Sequence, residues 1–160
     1  MSFMKRLRPG SLILISLLSC CGYTTRSLLP PYMKVVRIRF IENRTLRPLL
    51  GETFTNALKE AFLRERMKVS ESGAGLEVEG KIIGYSRQPY TYTGERTITV
   101  YRLKMRVSLK VWDLVKNRVF FEKEIEDYID QPSEEDEESW IVKLCQKVSD
   151  RAVKEIITHW

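Results

Sequence analysis

The stretch YRLKMRVSLKVWD, from Tyr101 to Asp113, constrains this chain more than any other. Every second residue from Tyr101 is apolar: Tyr101, Leu103, Met105, Val107, Leu109 and Val111. The intervening set is Arg102, Lys104, Arg106, Ser108 and Lys110. A period of two over that length is a β-strand with one buried and one polar face. The next alternating run, RVFFEKEIEDY (118–128), carries acids at Glu122, Glu124 and Glu126. A turn at Val115–Asn117 places Lys110 opposite Glu122, Ser108 opposite Glu124 and Arg106 opposite Glu126. A shift of two residues keeps acids against bases, whereas a shift of one drives Glu122 and Glu124 into the core. The basic row is therefore expected to be neutralised within the fold, with Glu77 and Glu79 bordering its other side.

The remaining segments fit around this hairpin. KVVRIRFIEN (34–43) is rich in β-branched residues and reads as a first strand. Leu50, Phe54, Leu58, Ala61 and Phe62 then recur at helical spacing. SESGAG (70–75) is a loop, and Leu76, Val78 and Ile82 alternate with Glu77, Glu79 and Lys81 in another strand. SRQPYTYTGERT (86–97) reads as a loop leading to Tyr101. Ile141, Leu144, Val148, Ala152 and Ile156 mark a final amphipathic helix, with Ser133 as candidate N-cap ahead of Glu134, Glu135 and Asp136. The predicted fold is a single α+β domain, β-α-β-β-β-α. Its two helices pack on one face of a four-stranded mixed sheet and leave the other face free. With 43% hydrophobic residues in 160, one core is affordable.

The N-terminus reads as a leader. MSFMKRLRP is basic, GSLILISLL is apolar, and small residues precede Cys20 and Cys21. Nine helical residues cover about 14 Å, too little for a core of roughly 30 Å. Leu17-Leu18-Ser19-Cys20 resembles a bacterial lipobox, with Leu18-Ser19-Cys20-Cys21 as the overlapping alternative. Ser19 suits the small-residue requirement and favours Cys20. The expected units are a lipoprotein signal peptide over 1–20, a lipidated tether over 21–33 and a domain over 34–160. Without Lys5, Arg6 and Arg8 the net charge falls from +6 to about +3, too mild to argue for nucleic acid. Cys145, beside the last helix's apolar stripe, reads as a packed thiol; an oxidising compartment also permits a bridge to the unlipidated cysteine.

The sequence offers no catalytic constellation. The single histidine, His159, adjoins Trp160. No Cys/His cluster has metal-ligand spacing, and no glycine loop is built for phosphate. SEEDEES (133–139) reads as a solvated helix start. An enzyme is not expected, and neither is a metal or cofactor beyond covalent N-acyl and S-diacylglycerol lipid. The functional candidates lie at 86–97, where Arg87 and Arg96 flank Tyr90 and Tyr92. Their guanidiniums suit phosphate and their rings suit acyl chains or sugars. The alternative is a hairpin whose tyrosines fold back on the sheet edge.

The chain resembles the LptE family, the lipopolysaccharide-assembly lipoproteins of the outer-membrane Lpt translocon. CGY at 21–23 and IRFIENRTLRPLLGETFTNALKEAF carry the likeness, through Phe40-x-x-Asn43-x-Thr45, Pro48 and Thr55-x-Ala57-Leu58. LEVEGKIIGYSRQP, the Tyr101–Asp113 strand and the last helix follow in the same order. The resemblance implies lipidation at Cys21, where the lipobox reasoning favours Cys20. It implies a non-enzymatic protein inside an LptD-like β-barrel at the outer membrane of a Gram-negative bacterium, in contact with lipopolysaccharide. Arg96 is the nearest match to the family's basic residue near the hairpin loop; the second basic position falls on acidic SEEDEES. The alternatives are a stand-alone lipid- or glycan-binding periplasmic lipoprotein and a pilot lipoprotein for another outer-membrane complex.

Overall fold

The computed structural model describes residues 29–94 and 97–159. Cys20, Cys21, Arg96 and Trp160 lie outside the described residues. A 3-10 turn at Pro31–Lys34 is followed by β1 (Val35–Ile38), β2 (Glu42–Asn43), α1 (Leu50–Arg64) and β3 (Lys68–Val69). The chain continues through β4 (Leu76–Tyr92), β5 (Ile98–Asp113), β6 (Arg118–Pro132) and α2 (Glu137–Thr158). The sheet order is β3-β1-β4-β5-β6, with β2 also beside β4. β1 runs parallel to β3 and β4, while β4, β5 and β6 are antiparallel.

The α+β class and one-sided padding agree with the sequence. Val36, Val78, Ile82, Leu103, Met105, Val107, Leu109, Val111 and Ile125 form one core with Phe54, Leu58, Phe62, Leu144, Val148 and Ile156 of the two helices. The strand count does not agree. Six strands replace four, because the run 34–43 splits at Arg39–Ile41 and a short β3 follows α1. The split has a packing cause. Gly51 abuts the chain there, and a Cβ on it would lie 2.7 Å from the Ile41 carbonyl oxygen. Thr55 then receives the Ile41 N–H on its hydroxyl at 3.1 Å. Helix α1 thus docks directly on the broken strand. Leu29 and Met33, at the end of the segment read as tether, are buried in the core.

The β5–β6 register is the first of the two that keep acids against bases: Lys110 opposite Glu122, Ser108 opposite Glu124, Arg106 opposite Glu126. Asp113 shapes the turn, its Oδ1 accepting the N–H groups of Val115 and Lys116 at 3.1 and 2.9 Å.

Two local expectations are corrected. The segment 86–97 is mostly strand, because β4 continues to Tyr92 and β5 begins at Ile98. SRQPYTYTGERT reads as a loop, but beyond Ile82 no described strand lies outside β4, and such an edge tolerates the donor that Pro89 lacks. The N-cap of α2 is Asp136, not Ser133: Asp136 Oδ2 accepts the Ser139 N–H at 3.1 Å. Ser133 is held one turn earlier by donating its N–H to Thr99 O.

Helix α2 also covers the outer edge of β6. Lys147 Nζ donates to Tyr128 O at 2.7 Å, and Arg151 donates to Glu126 O at 2.9 Å. Both cations pair with Asp127 between these carbonyls, at 2.9 and 3.5 Å. Cations on exposed carbonyls blunt a strand edge that would otherwise pair with another chain. Burial alone would raise the Asp127 carboxyl. Hydrogen bonds from Lys147 and the Tyr128 N–H, with the charges of Lys147 and Arg151, hold it below its usual value. A depressed carboxylate adds stability above its unfolded pKa of about 3.9, and that contribution disappears as pH falls through the folded value. The melting temperature is therefore expected to drop below about pH 4, and Asp127→Asn to flatten part of that drop. Calorimetry across pH 3 to 7 checks this, and an unchanged profile in the variant removes Asp127 as a cause.

Candidate functional site

The site is the sheet face that carries no helix, together with the hairpin that extends it. Partners across an antiparallel pair share a face. Arg102, Lys104, Arg106 and Lys110 of β5 therefore stand beside Asp130, Tyr128, Glu126 and Glu122 of β6. Lys104 Nζ lies 2.6 Å from Glu126, Arg106 lies 4.0 Å from the same carboxylate, and Lys110 lies 3.4 Å from Glu122. Arg102 forms a fork with Asp130, at 2.7 and 2.8 Å. That fork holds the Asp130 carboxyl below its ordinary range.

On the β4 side the acids are present but face other partners. Glu77 is buried between Arg37 and Arg39 of the first strand segment. Glu79 stands opposite Lys110 yet accepts the Trp112 indole N–H at 2.8 Å. The basic row is thus neutralised mainly from β6. Shallow depressions of about 360 and 280 Å³ mark this face, the larger lined by Glu79, Lys81, Lys110 and Glu122.

Of the four residues singled out at 86–97, Arg96 lies outside the described residues, and the structure separates the other three. Arg87 lies on the helix-covered face. Its Nε donates to Gln131 at 3.1 Å, its guanidinium sits 3.5 Å over the Tyr101 ring, and Glu137 of α2 is 3.6 Å away. Gln131 is fully buried and donates to Glu135 O at 2.6 Å. Tyr85 joins this group by donating to Glu137 at 2.9 Å, and burial, then that hydrogen bond, raises its phenol. Arg87 therefore fastens the hairpin to the start of α2.

Tyr90 is on the opposite face. Its ring stacks 3.6 Å from the Arg102 guanidinium, and Tyr128 stacks on the same group at 4.1 Å. Tyr92 is more than half exposed near the tip, which closes through Thr93 and Thr97. The Tyr90–Arg102–Tyr128–Asp130 cluster is absent from the sequence reading. Its signal was available: continuing the charge register past Glu126 sets Tyr128 against Lys104 and Asp130 against Arg102.

Among the described residues, no group of three His, Cys, Asp or Glu side chains is placed to hold a metal ion. No helix among them is long and apolar enough to cross a membrane. Cys145 is buried and free, with burial pushing its thiol up to about 12. His159 packs edge-on against Phe120 and Phe121, its ring 5.6 and 5.5 Å from theirs.

No curated protein matches the sequence. Solved structures share the fold. A hypothetical protein CT253 from Chlamydia trachomatis superposes with a TM-score of 0.56 at 12% identity, over 78% of this chain and 96% of that one. Protein XCC0632 from Xanthomonas campestris gives 0.55 at 9% identity, over 82% and 90%. At these identities the likeness concerns architecture alone. The family model described as "LptE: Lipopolysaccharide-assembly" matches residues 33–158, the whole body from the 3-10 turn to the end of α2. The chain therefore belongs to the LptE family of lipopolysaccharide-assembly lipoproteins.

Proposed function

We propose that this protein is a lipid-anchored lipoprotein of the Gram-negative outer membrane. It sits within an LptD-like β-barrel, supports that barrel's assembly and assists insertion of lipopolysaccharide into the outer leaflet. It acts without catalysis, through surfaces. The observation that carries the reading, beside family membership, is the uncovered sheet face. That face is charged along its length, yet Arg102, Lys104 and Lys110 hold acids on β6 and Arg106 lies 4.0 Å from one of them. Such a face can be enclosed by a polar barrel wall without stranding lone charges, the condition under which buried charge is tolerated. An apolar face would instead call for a membrane or a second apolar surface.

The experiment is affinity capture from detergent-solubilised outer membranes. A large β-barrel protein is expected in near-stoichiometric amount, and recovery of the protein as a free periplasmic monomer overturns the reading. One observation favours a second reading, a stand-alone glycolipid-binding lipoprotein: Tyr90 and Tyr92 are both more than half exposed. Lipopolysaccharide binding without any captured barrel would support that alternative.

A further inference from the structure

A β-bulge at Ile83 leaves Gly84 and Ser86 on the open face, opposite Arg106 and Lys104. Together with Glu126 they line a depression of about 280 Å³. Gly84 matters here for what it lacks. A Cβ on it would touch Arg106, 3.8 Å from Nε and 3.9 Å from Nη2, so glycine keeps the space beside the guanidinium open. The Ser86 hydroxyl has no hydrogen-bond partner among the described residues.

The charge balance at this spot differs from the rest of the ladder. Arg102 has Asp130 and Lys110 has Glu122, but Lys104 and Arg106 share one carboxylate, Glu126. Lys104 holds it at 2.6 Å, leaving Arg106 at the 4.0 Å limit. The next acid, Glu124, stands opposite Ser108 and pairs with neither cation. Arg106 thus has no close carboxylate of its own, beside a hydroxyl donor and an open floor.

We propose that this depression is a phosphate subsite, in which Arg106, Lys104 and Ser86 donate to one phosphate group over Gly84. A guanidinium, an ammonium and a hydroxyl match the acceptor-only oxygens of phosphate, and charge-assisted bonds of this kind are the strong ones. Two sources carry that chemistry, the phosphates of a glycolipid and free inorganic phosphate. The glycolipid source rests on the function proposed above.

The test uses the full chain in detergent micelles, titrated by calorimetry with purified lipopolysaccharide, with enzymatically dephosphorylated lipopolysaccharide and with inorganic phosphate. Lys104→Gln/Arg106→Gln is expected to weaken binding of the phosphorylated glycolipid about tenfold or more. Glu126→Gln releases both cations and is expected to tighten it several-fold, a gain that misfolding does not mimic. Lys154→Gln, on the exposed side of α2, should leave it unchanged. Binding of inorganic phosphate alone, lost in the double variant, also supports the subsite and assigns it to free phosphate. Equal binding of phosphorylated and dephosphorylated forms, a double variant that binds like the parent, or no binding in any titration overturns the proposal. Barrel capture is read separately, so failure of that reading stays distinguishable.

Discussion

Leu109→Ala is expected to destabilise the protein by about 4 kcal/mol, whereas Ser108→Ala, one residue away, should change stability by less than about 0.5 kcal/mol. Both residues lie on β5, an internal strand flanked by β4 and β6. Leu109 is fully buried and covers Gly80 of β4; a Cβ at that glycine would lie 2.6 Å from Leu109 Cδ2. Removing the leucine leaves a cavity floored by a residue with no side chain to relax into it, which places the loss toward the upper part of the usual range. Ser108 faces the uncovered side, where truncation opens no cavity. Urea unfolding of both variants measures the contrast. Similar losses would mean that both faces of the sheet are packed, contrary to the arrangement on which the functional reading depends.

The second large effect concerns the anchor. Replacing both Cys20 and Cys21 by alanine is expected to reduce flotation of the purified protein with phospholipid vesicles from nearly complete to about a tenth or less. Each buried CH₂ contributes about 0.8 kcal/mol, so one acyl chain binds reversibly while several on one cysteine hold firmly. The described residues supply no helix able to replace that anchor. Of the single variants, only one should lose flotation, and mass spectrometry of the mature N-terminus identifies the acylated cysteine directly. Full flotation of the double variant would refute lipid anchoring.

Much of the architecture was legible in the residues themselves. Alternation plus charge narrowed the β5–β6 pairing to two registers, because a register shifted by one would bury glutamates, and the structure has the one with Arg106–Glu126 and Lys110–Glu122 rungs. The two helices follow from Phe54, Leu58 and Phe62 and from Leu144, Val148 and Ile156, whose spacing gives each helix a single apolar stripe. The hairpin at 86–97 was less legible. Pro89 and the polar run around it carry loop chemistry, and only the absence of an outer neighbour lets them remain extended. The cap of α2 was misplaced for a related reason. β6 runs on to Pro132 and ties Ser133 to Thr99, and that pairing crosses more than thirty residues.

Arg87 marks the division between the two kinds of information. Counting outward from Glu77, Glu79 and Lys81 in steps of two places it on the uncovered face with the basic row. The bulge at Ile83 inserts one residue, and the side chains from Gly84 to Pro89 change sides, until the next register shift before Thr91. Arg87 is thereby turned toward Gln131 and Glu137, and Gly84 and Ser86 toward Lys104 and Arg106. Local alternation and charge sufficed for the one-sided core and for excluding a β5–β6 register shifted by one, since each is enforced by contacts that recur every two or four residues. The composition of the functional face was decided by tertiary structure, because a single extra residue in one strand reverses the pattern, and the Ile82-Ile83-Gly84 step that marks the bulge does not by itself say which side chains follow onto which face.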